Sequence, residues 1–257
     1  MIKKGVPTDL VQQEFKILKM KIALVCIAKN EDHYLEEWIN YNKKLGFDDI
    51  FIYQNDWRWS GESENVHKIE FDGINKQRDS YNNFIKNYHD KYDWVAFFDV
   101  DEFLVLKKHN DVKLFVSDYS QYPAIGINWV LFGNNGHSKV DGDYSVIKRF
   151  TKRQKDVNQH IKSIVKLSRD TYMDVHCPSS CWWVNPHNEK NQGSFTSNHT
   201  DDIAQINHYF CKTEEEFQEK CDRGRADNPI IRRTMSEYEG HNCNDIEDFS
   251  AYKFLYE

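Results

Sequence analysis

Short apolar runs alternate with amphipathic stretches through the first half of the chain. Residues 21–28, KIALVCIA, are almost wholly apolar, as expected of a strand buried on both faces. Asn30 stands where a helix N-cap belongs. Leu35, Trp38, Ile39 and Leu45 then form the apolar stripe of that helix, and Gly46 is placed to end it. Residues 48–56, DDIFIYQND, predict a second strand that ends in polar residues, and 66–71, VHKIEF, a third. Ile74, Tyr81, Phe84, Ile85, Tyr88 and Tyr92 recur at helical spacing. DWVAFFDVD (93–101) and AIGINWVLF (124–132) read as a fourth and a fifth strand.

This βαββαβ rhythm predicts an α/β fold, an open, twisted and mainly parallel sheet flanked by helices. In such sheets the ligand crevice lies outside the carboxyl ends of the strands. Three polar clusters fall there: AKNED (28–32), YQND (53–56) and DVDE (99–102).

The second half is less regular. Residues 141–154 and 160–168 read as strands or a hairpin carrying basic residues, 170–202 as long loops, and 206–210, INHYF, as a short strand. Thr213 followed by Glu216 makes a capping box that opens a helix. No repeat or linker interrupts the chain, so the expectation is an N-terminal extension (1–20), one domain (21–240) and a peripheral tail (241–257).

Composition narrows the class. With 257 residues, 39% of them hydrophobic, the chain can bury a sizeable core. A net charge of -7 argues against a broad nucleic-acid surface. The longest apolar run, IALVCIA, is far short of the ~20 residues of a spanning helix, and the N-terminus lacks the apolar core of a signal peptide. Six thinly spread cysteines suit a reducing compartment without a disulfide framework. The expected location is the cytoplasm, with at most peripheral contact at the inner face of the membrane. Oligomeric state is not legible.

Asp99, Asp101 and Glu102 end a segment that otherwise belongs in the core, and ionised carboxylates are costly there unless something meets them. In an extended segment residues two apart point to the same side, so Asp99 and Asp101 could together hold a hard divalent cation or a ribose. The competing reading is an acidic turn capped by backbone N–H groups.

The sequence around these acids, DWVAFFDVDEFLVL, resembles the family-92-like glycosyltransferases, a branch of the GT-A superfamily. Further matching blocks are CIAKNEDHYLEEWINYNKKLGFDDIFIYQND, QRDSYNNFI, KSIVKL with VHCP, and INHYFCKTEEEFQEKCDRGRAD, together covering roughly residues 21–230. The resemblance implies a GT-A fold that binds a nucleotide-sugar, usually a UDP-sugar, with Mn²⁺ or Mg²⁺, and inverts the anomeric carbon. By analogy Asp101 is the direct metal ligand, and Asp99 holds the ribose or a metal-bound water. His208 completes the metal shell or is a hydrogen-bonded structural residue. His176 is a second ligand, a base or an acceptor contact. Ala28, Lys29 and Asn30 border the base, while Asn55 and Asp56 read uracil and ribose. Arg78, Lys162 and Arg149 are candidates for the diphosphate; Arg78 and Lys162 are equally readable as solvated surface charges, and Arg149, with only its neighbourhood to recommend it, more readily so. Asp227 and Asp174 are the candidate catalytic bases, although a salt bridge from Arg225 would make Asp227 structural.

HCPSSCWW (176–183), with His187 nearby, offers the first half of a zinc spacing without its second ligand pair. Trp182 and Trp183 are better read as stacking partners for an acceptor sugar or as core residues. The expected function is transfer of a hexose from a UDP-sugar to a hydroxyl of a surface or lipid-linked glycan such as lipopolysaccharide or capsule. A sugar-nucleotide nucleotidyltransferase is the enzymatic rival, disfavoured because no glycine-rich loop follows the first strand. A catalytically inactive glycan-binding protein on the same scaffold is the other.

Overall fold

The computed structural model describes residues 17–228 and 230–257. Among the described residues the strands are β1 (Ile22–Ala28), β2 (Asp49–Gln54), β3 (Val66–Glu70), β4 (Trp94–Phe97), β5 (Glu102–Leu106), β6 (Ala124–Leu131), β7 (Lys152–Arg153), β8 (Ile161–Lys166), β9 (Trp183–Val184), β10 (Lys190–Asn191), β11 (Ala204–His208) and β12 (Ile246–Glu247). The helices are α1 (Asp32–Lys44), α2 (Gln77–Tyr88), α3 (Val112–Ser117), α4 (Val146–Arg149), α5 (Glu214–Arg223), α6 (Met235–His241) and α7 (Ser250–Tyr256).

Strands β3, β2, β1 and β4 lie side by side and all parallel, with Val25 of β1 opposite Phe51 of β2 and Phe97 of β4. The unbroken apolar run of β1 has a direct cause, because both faces of the sheet are covered. Ile22, Leu24, Cys26 and Ala28 face one apolar cluster with Tyr34, Leu35 and Trp38 of α1. Ala23, Val25 and Ile27 face another with Tyr81, Phe84 and Ile85 of α2. Beyond β4 the sheet turns mixed: β8 is wedged antiparallel between β4 and β6, and β6 continues parallel to β9. Gly126 of β6 is needed where the Trp183 ring crosses the strand, since a Cβ there would lie 2.3 Å from the ring. β11 lies parallel to β6 and antiparallel to β5, bringing the second half of the chain back to the acids.

Several local expectations change. Asn30 is not the cap of α1; it precedes the N-cap residue Glu31 and takes a left-handed backbone (φ 53°), which a short polar side chain tolerates. Residues 146–149 are helical, not extended, because the Ser145 hydroxyl accepts the Lys148 N–H and starts a turn. EFLVL (102–106) forms β5, a strand to which the sequence reading assigns no element. The expected peripheral tail packs onto the domain: β12 pairs with β7, Ala251 is buried, and Phe254 meets Tyr41 edge to face at 5.0 Å. Most of the expected N-terminal extension lies outside the described residues.

Candidate active site

A cleft of about 700 Å³ opens at the carboxyl ends of β1, β2 and β4, where the three polar clusters converge. Ala28, Lys29, Asn55, Asp56, Asp99, Asp101, His176, His208 and Asp227 line it. Lys162 lies behind its wall, fully buried. Asn30, Arg78 and Asp174 are not part of the lining. Arg78 and Asp174 are exposed elsewhere, Arg78 because α2 turns its neighbour Gln77 towards the acids instead. Arg149 is also removed from the diphosphate candidates. It is buried against Glu216, with two N–H groups on the carboxylate at 2.8 and 2.7 Å, and Tyr34 donates to the same carboxylate at 2.7 Å.

Asp99 and Asp101 line the same cleft but meet different partners. Residues 99–102 form a turn in which the Glu102 N–H reaches the Asp99 carbonyl at 3.0 Å. A Glu102 carboxylate oxygen accepts the Asp99 N–H at 2.9 Å, the capped acidic turn weighed above. Asp99 accepts from Gln77 at 2.8 Å and from the Lys162 ammonium at 2.9 Å. The buried ammonium also lies 3.6 Å from Glu102. Burial opposes that charge, but Asp99 and Glu102 outweigh it and raise the Lys162 pKa well above its usual value. Burial pushes the Glu102 carboxyl up in turn.

Asp101 faces a different set of groups. The Lys220 ammonium on α5 is 2.5 Å from one carboxylate oxygen, and His208 Nε2 is 3.6 Å from the other. Burial pushes the Asp101 carboxyl up, but the Lys220 ammonium, with Lys212, holds it well below the usual range. His208 closes β11, and the antiparallel register sets it opposite Glu102, so pairing and not sequence proximity brings it to the acids. Burial drives its pKa well below the ordinary value, leaving a neutral imidazole whose Nδ1 is buried with no hydrogen-bond partner.

Among the described residues no three His, Cys, Asp or Glu side chains are grouped to cage a metal. Each Asp99 oxygen accepts a hydrogen bond, from Gln77 and from Lys162, and the side chain remains 32% exposed to the cleft. Asp101 and His208 do fit a divalent cation as a two-ligand set. Their free donor atoms face each other, the imidazole is in its ligating form, and carboxylate oxygen with imidazole nitrogen suits Mn²⁺ or Mg²⁺ completed by substrate oxygens and water.

Of the candidate bases, Asp227 is held by Arg225 through two N–H···O contacts of 3.1 Å. Burial pushes its carboxyl up, but the Arg225 guanidinium outweighs this and lowers it. His176 Nδ1 sits 3.2 Å from the Ile161 carbonyl, an arrangement in which Nδ1–H donates and Nε2 keeps its lone pair. Burial, aided by the Lys162 and His160 charges, pushes His176 down to about 3. Trp183 is fully buried, and Trp182 lies outside the cleft with the Lys190 ammonium 4.6 Å over its ring, so neither is placed to stack an acceptor sugar. Trp129 instead lines the cleft, 4.3 Å from the His208 ring and stacked at 4.9 Å on His160.

Lys220 was missed, although a signal was present: it follows Phe217 by three residues, on the face of a capped helix that turns inward. Arg223, on the last turn of α5, was missed as well. It donates to the Lys29 carbonyl at 2.7 Å and pairs with Glu31, tying the end of α5 to the end of β1.

Fold and site together define an α/β domain whose polar cleft, at the ends of its parallel strands, faces acids and basic groups from both halves of the chain. The chain belongs to glycosyltransferase family 92, whose description matches residues 54–244. A family 92 protein of Arabidopsis thaliana is 25% identical over 226 residues, covering 79% of this chain and 37% of that one. One of Oryza sativa subsp. japonica is 26% identical over 209 residues, covering 76% and 34%. The chain thus spans about a third of the length of these curated relatives. Solved structures are more distant. The mannosyltransferase Ktr4p of S. cerevisiae is 13% identical with a TM-score of 0.27, over 52% of each chain. HddC of Yersinia pseudotuberculosis is 11% identical with a TM-score of 0.35, over 78% of this chain and 98% of that one. No helix among the described residues is long and apolar enough to cross a membrane.

Proposed function

We propose that this chain is a nucleotide-sugar-dependent glycosyltransferase that moves a hexose from a UDP-sugar to a glycan hydroxyl, with Mn²⁺ or Mg²⁺ held by Asp101 and His208. The observation that carries the reading is the meeting of Asp101 with a buried, neutral His208, from opposite halves of the chain, inside the strand-end cleft of a family 92 domain. A bound divalent cation supplies stabilisation of the charge that develops on a departing diphosphate. Asn55 and Asp56 border the base and ribose, and the exposed part of Asp99 accepts from a ribose hydroxyl. Lys29 and Arg223 flank the diphosphate from the two sides of the cleft.

Inverting transfer forms one bond from the acceptor oxygen to the anomeric carbon, breaks the bond to the diphosphate, and releases one proton from the acceptor hydroxyl. His176 Nε2 takes that proton. A weak base suffices, because a hydroxyl becomes strongly acidic as its oxygen bonds to a cation-like carbon. The acceptor class follows the sequence reading: a surface glycan such as lipopolysaccharide or capsule, lipid-linked or free.

The test is calorimetric titration of UDP with Mn²⁺ and with EDTA, on the wild type and on Asp101→Asn, followed by a UDP-sugar hydrolysis and transfer screen. Metal-dependent UDP binding that the variant loses is the expected result. No UDP binding in Mn²⁺ refutes the donor class, and binding without hydrolysis or transfer replaces the enzyme by an inactive glycan-binding protein.

A further inference from the structure

The acid best placed to hold a metal already holds a cation. The Lys220 Nζ is 2.5 Å from Asp101 Oδ2, 3.1 Å from the Phe210 carbonyl, and 4.5 Å over the centre of the Phe210 ring. Only 9% of the Lys220 side chain is exposed. Three acceptors of different kinds therefore fix the ammonium inside the cleft wall. Its position follows from the fold: the capping box at Thr213 and Glu216 sets where α5 begins, and Lys220 lies on its inward face with Phe217.

A carboxylate carries one charge. A divalent cation on Oδ1 would meet a fixed ammonium on Oδ2 in a poorly solvated wall, where like charges repel strongly. Lys212, near enough to influence Asp101, adds a second ammonium, itself 3.6 Å from Glu31. The acid is already neutralised before any metal arrives.

We infer that Lys220 is the resident counter-cation of Asp101 and competes with the divalent metal for it. The protein alone then binds metal weakly. A nucleoside diphosphate changes the balance because its oxygens offer the ammonium a new partner, so Lys220 moves from the carboxylate to the ligand as the metal takes Asp101. Metal and nucleotide binding are coupled through this one side chain. The inference rests on the proposed metal role of Asp101 and adds an order of binding to it.

The experiment is Mn²⁺ titration followed by the electron paramagnetic resonance signal of the free ion, with and without UDP, on the wild type, Lys220→Met, Lys220→Gln and Asp101→Asn. Circular dichroism checks each fold. The expected result is that the Lys220 variants bind Mn²⁺ without UDP at least tenfold more tightly than the wild type, while UDP tightens Mn²⁺ at least tenfold in the wild type and by much less in the variants. If the wild type binds Mn²⁺ in the presence of UDP and the folded variants bind it no more tightly without UDP, the competition is wrong and the metal role of Asp101 stands. If no form binds Mn²⁺ under any condition, both fall. Should both Lys220 variants fail to fold, the wild type decides: a Mn²⁺ affinity that, corrected for the Mn²⁺–UDP complex in solution, is indifferent to UDP overturns the inference.

Discussion

Replacing Lys162 with methionine tests the half of the site that sequence reasoning placed on the ligand. The change keeps the length of the apolar stem and removes the ammonium. Asp99 Oδ2 then loses its 2.9 Å partner, and Glu102 the cation at 3.6 Å, with a second carboxylate close by. Breaking a buried ion pair by removing one partner costs ~3–5 kcal/mol. Two features draw the figure to the lower end. The Asp99 side chain is 32% exposed and can take water, and the Glu102 carboxyl, already pushed up by burial, can take a proton. A loss of about 3 kcal/mol is expected in urea unfolding, which at ~2–4 °C per kcal/mol for a chain of this size is a fall in melting temperature of about 6–12 °C. Asp99→Asn in the Lys162→Met background should recover part of the loss, because it removes the stranded charge, and the cycle isolates the coupling. A loss below about 1 kcal/mol, or a double variant no more stable than Lys162→Met, would show that Lys162 does not neutralise these acids.

Two further outcomes follow from the packing and the charges. His176, held at about 3, and His208, held well below its ordinary value, stay neutral when folded and accept protons near 6.5 when unfolded, so stability falls as pH falls below that value. Glu102, raised by burial, has the opposite sign from pH 4.5 upwards and offsets part of this, so the two effects nearly cancel near pH 6.5 and a net loss develops as pH falls towards 4.5. Below that, Glu216, held at about 2 against burial by Arg149, Thr213 and Tyr34, adds to the loss, and urea midpoints that stay flat from pH 6.5 to 4.5 refute the assignment. Gly126→Ala should cost ~1–3 kcal/mol in the same assay, because its Cβ would press on the buried Trp183 ring, and an unchanged midpoint would mean that the ring moves freely.

The parallel core was legible because its cause is local. A strand buried on both faces must be apolar at every position, and β1 is. The helix α5 was legible because Thr213 and Glu216 carry its start in their own spacing. The cleft was legible at the level of strand ends, since topology puts Ala28, Asn55 and Asp99 on one edge whatever their side chains do. What could not be read is which groups each acid of the turn at 99–102 meets: Gln77 and Lys162 at Asp99, Lys220 and His208 at Asp101. Arg78 was lost for a similar reason: one step along α2 separates a residue facing the acids from one facing water. The Lys220 contact spans 119 residues and depends on the pairing of β11, a long-range event with no local trace at Asp101.

That separation matters for how the chain is made. Synthesis runs from the N-terminus, so Asp101 and Glu102 leave the ribosome more than a hundred residues before His208 and Lys220 exist. The parallel strands β1 to β4 can assemble early, but the wall that buries these acids closes only when β11 slots between β5 and β6. Until then the carboxylates must stay in water, and their hydration opposes premature collapse of the half-made sheet around them. The turn that carries the acids is thus made first, and β11, made about a hundred residues later, is the strand that covers it.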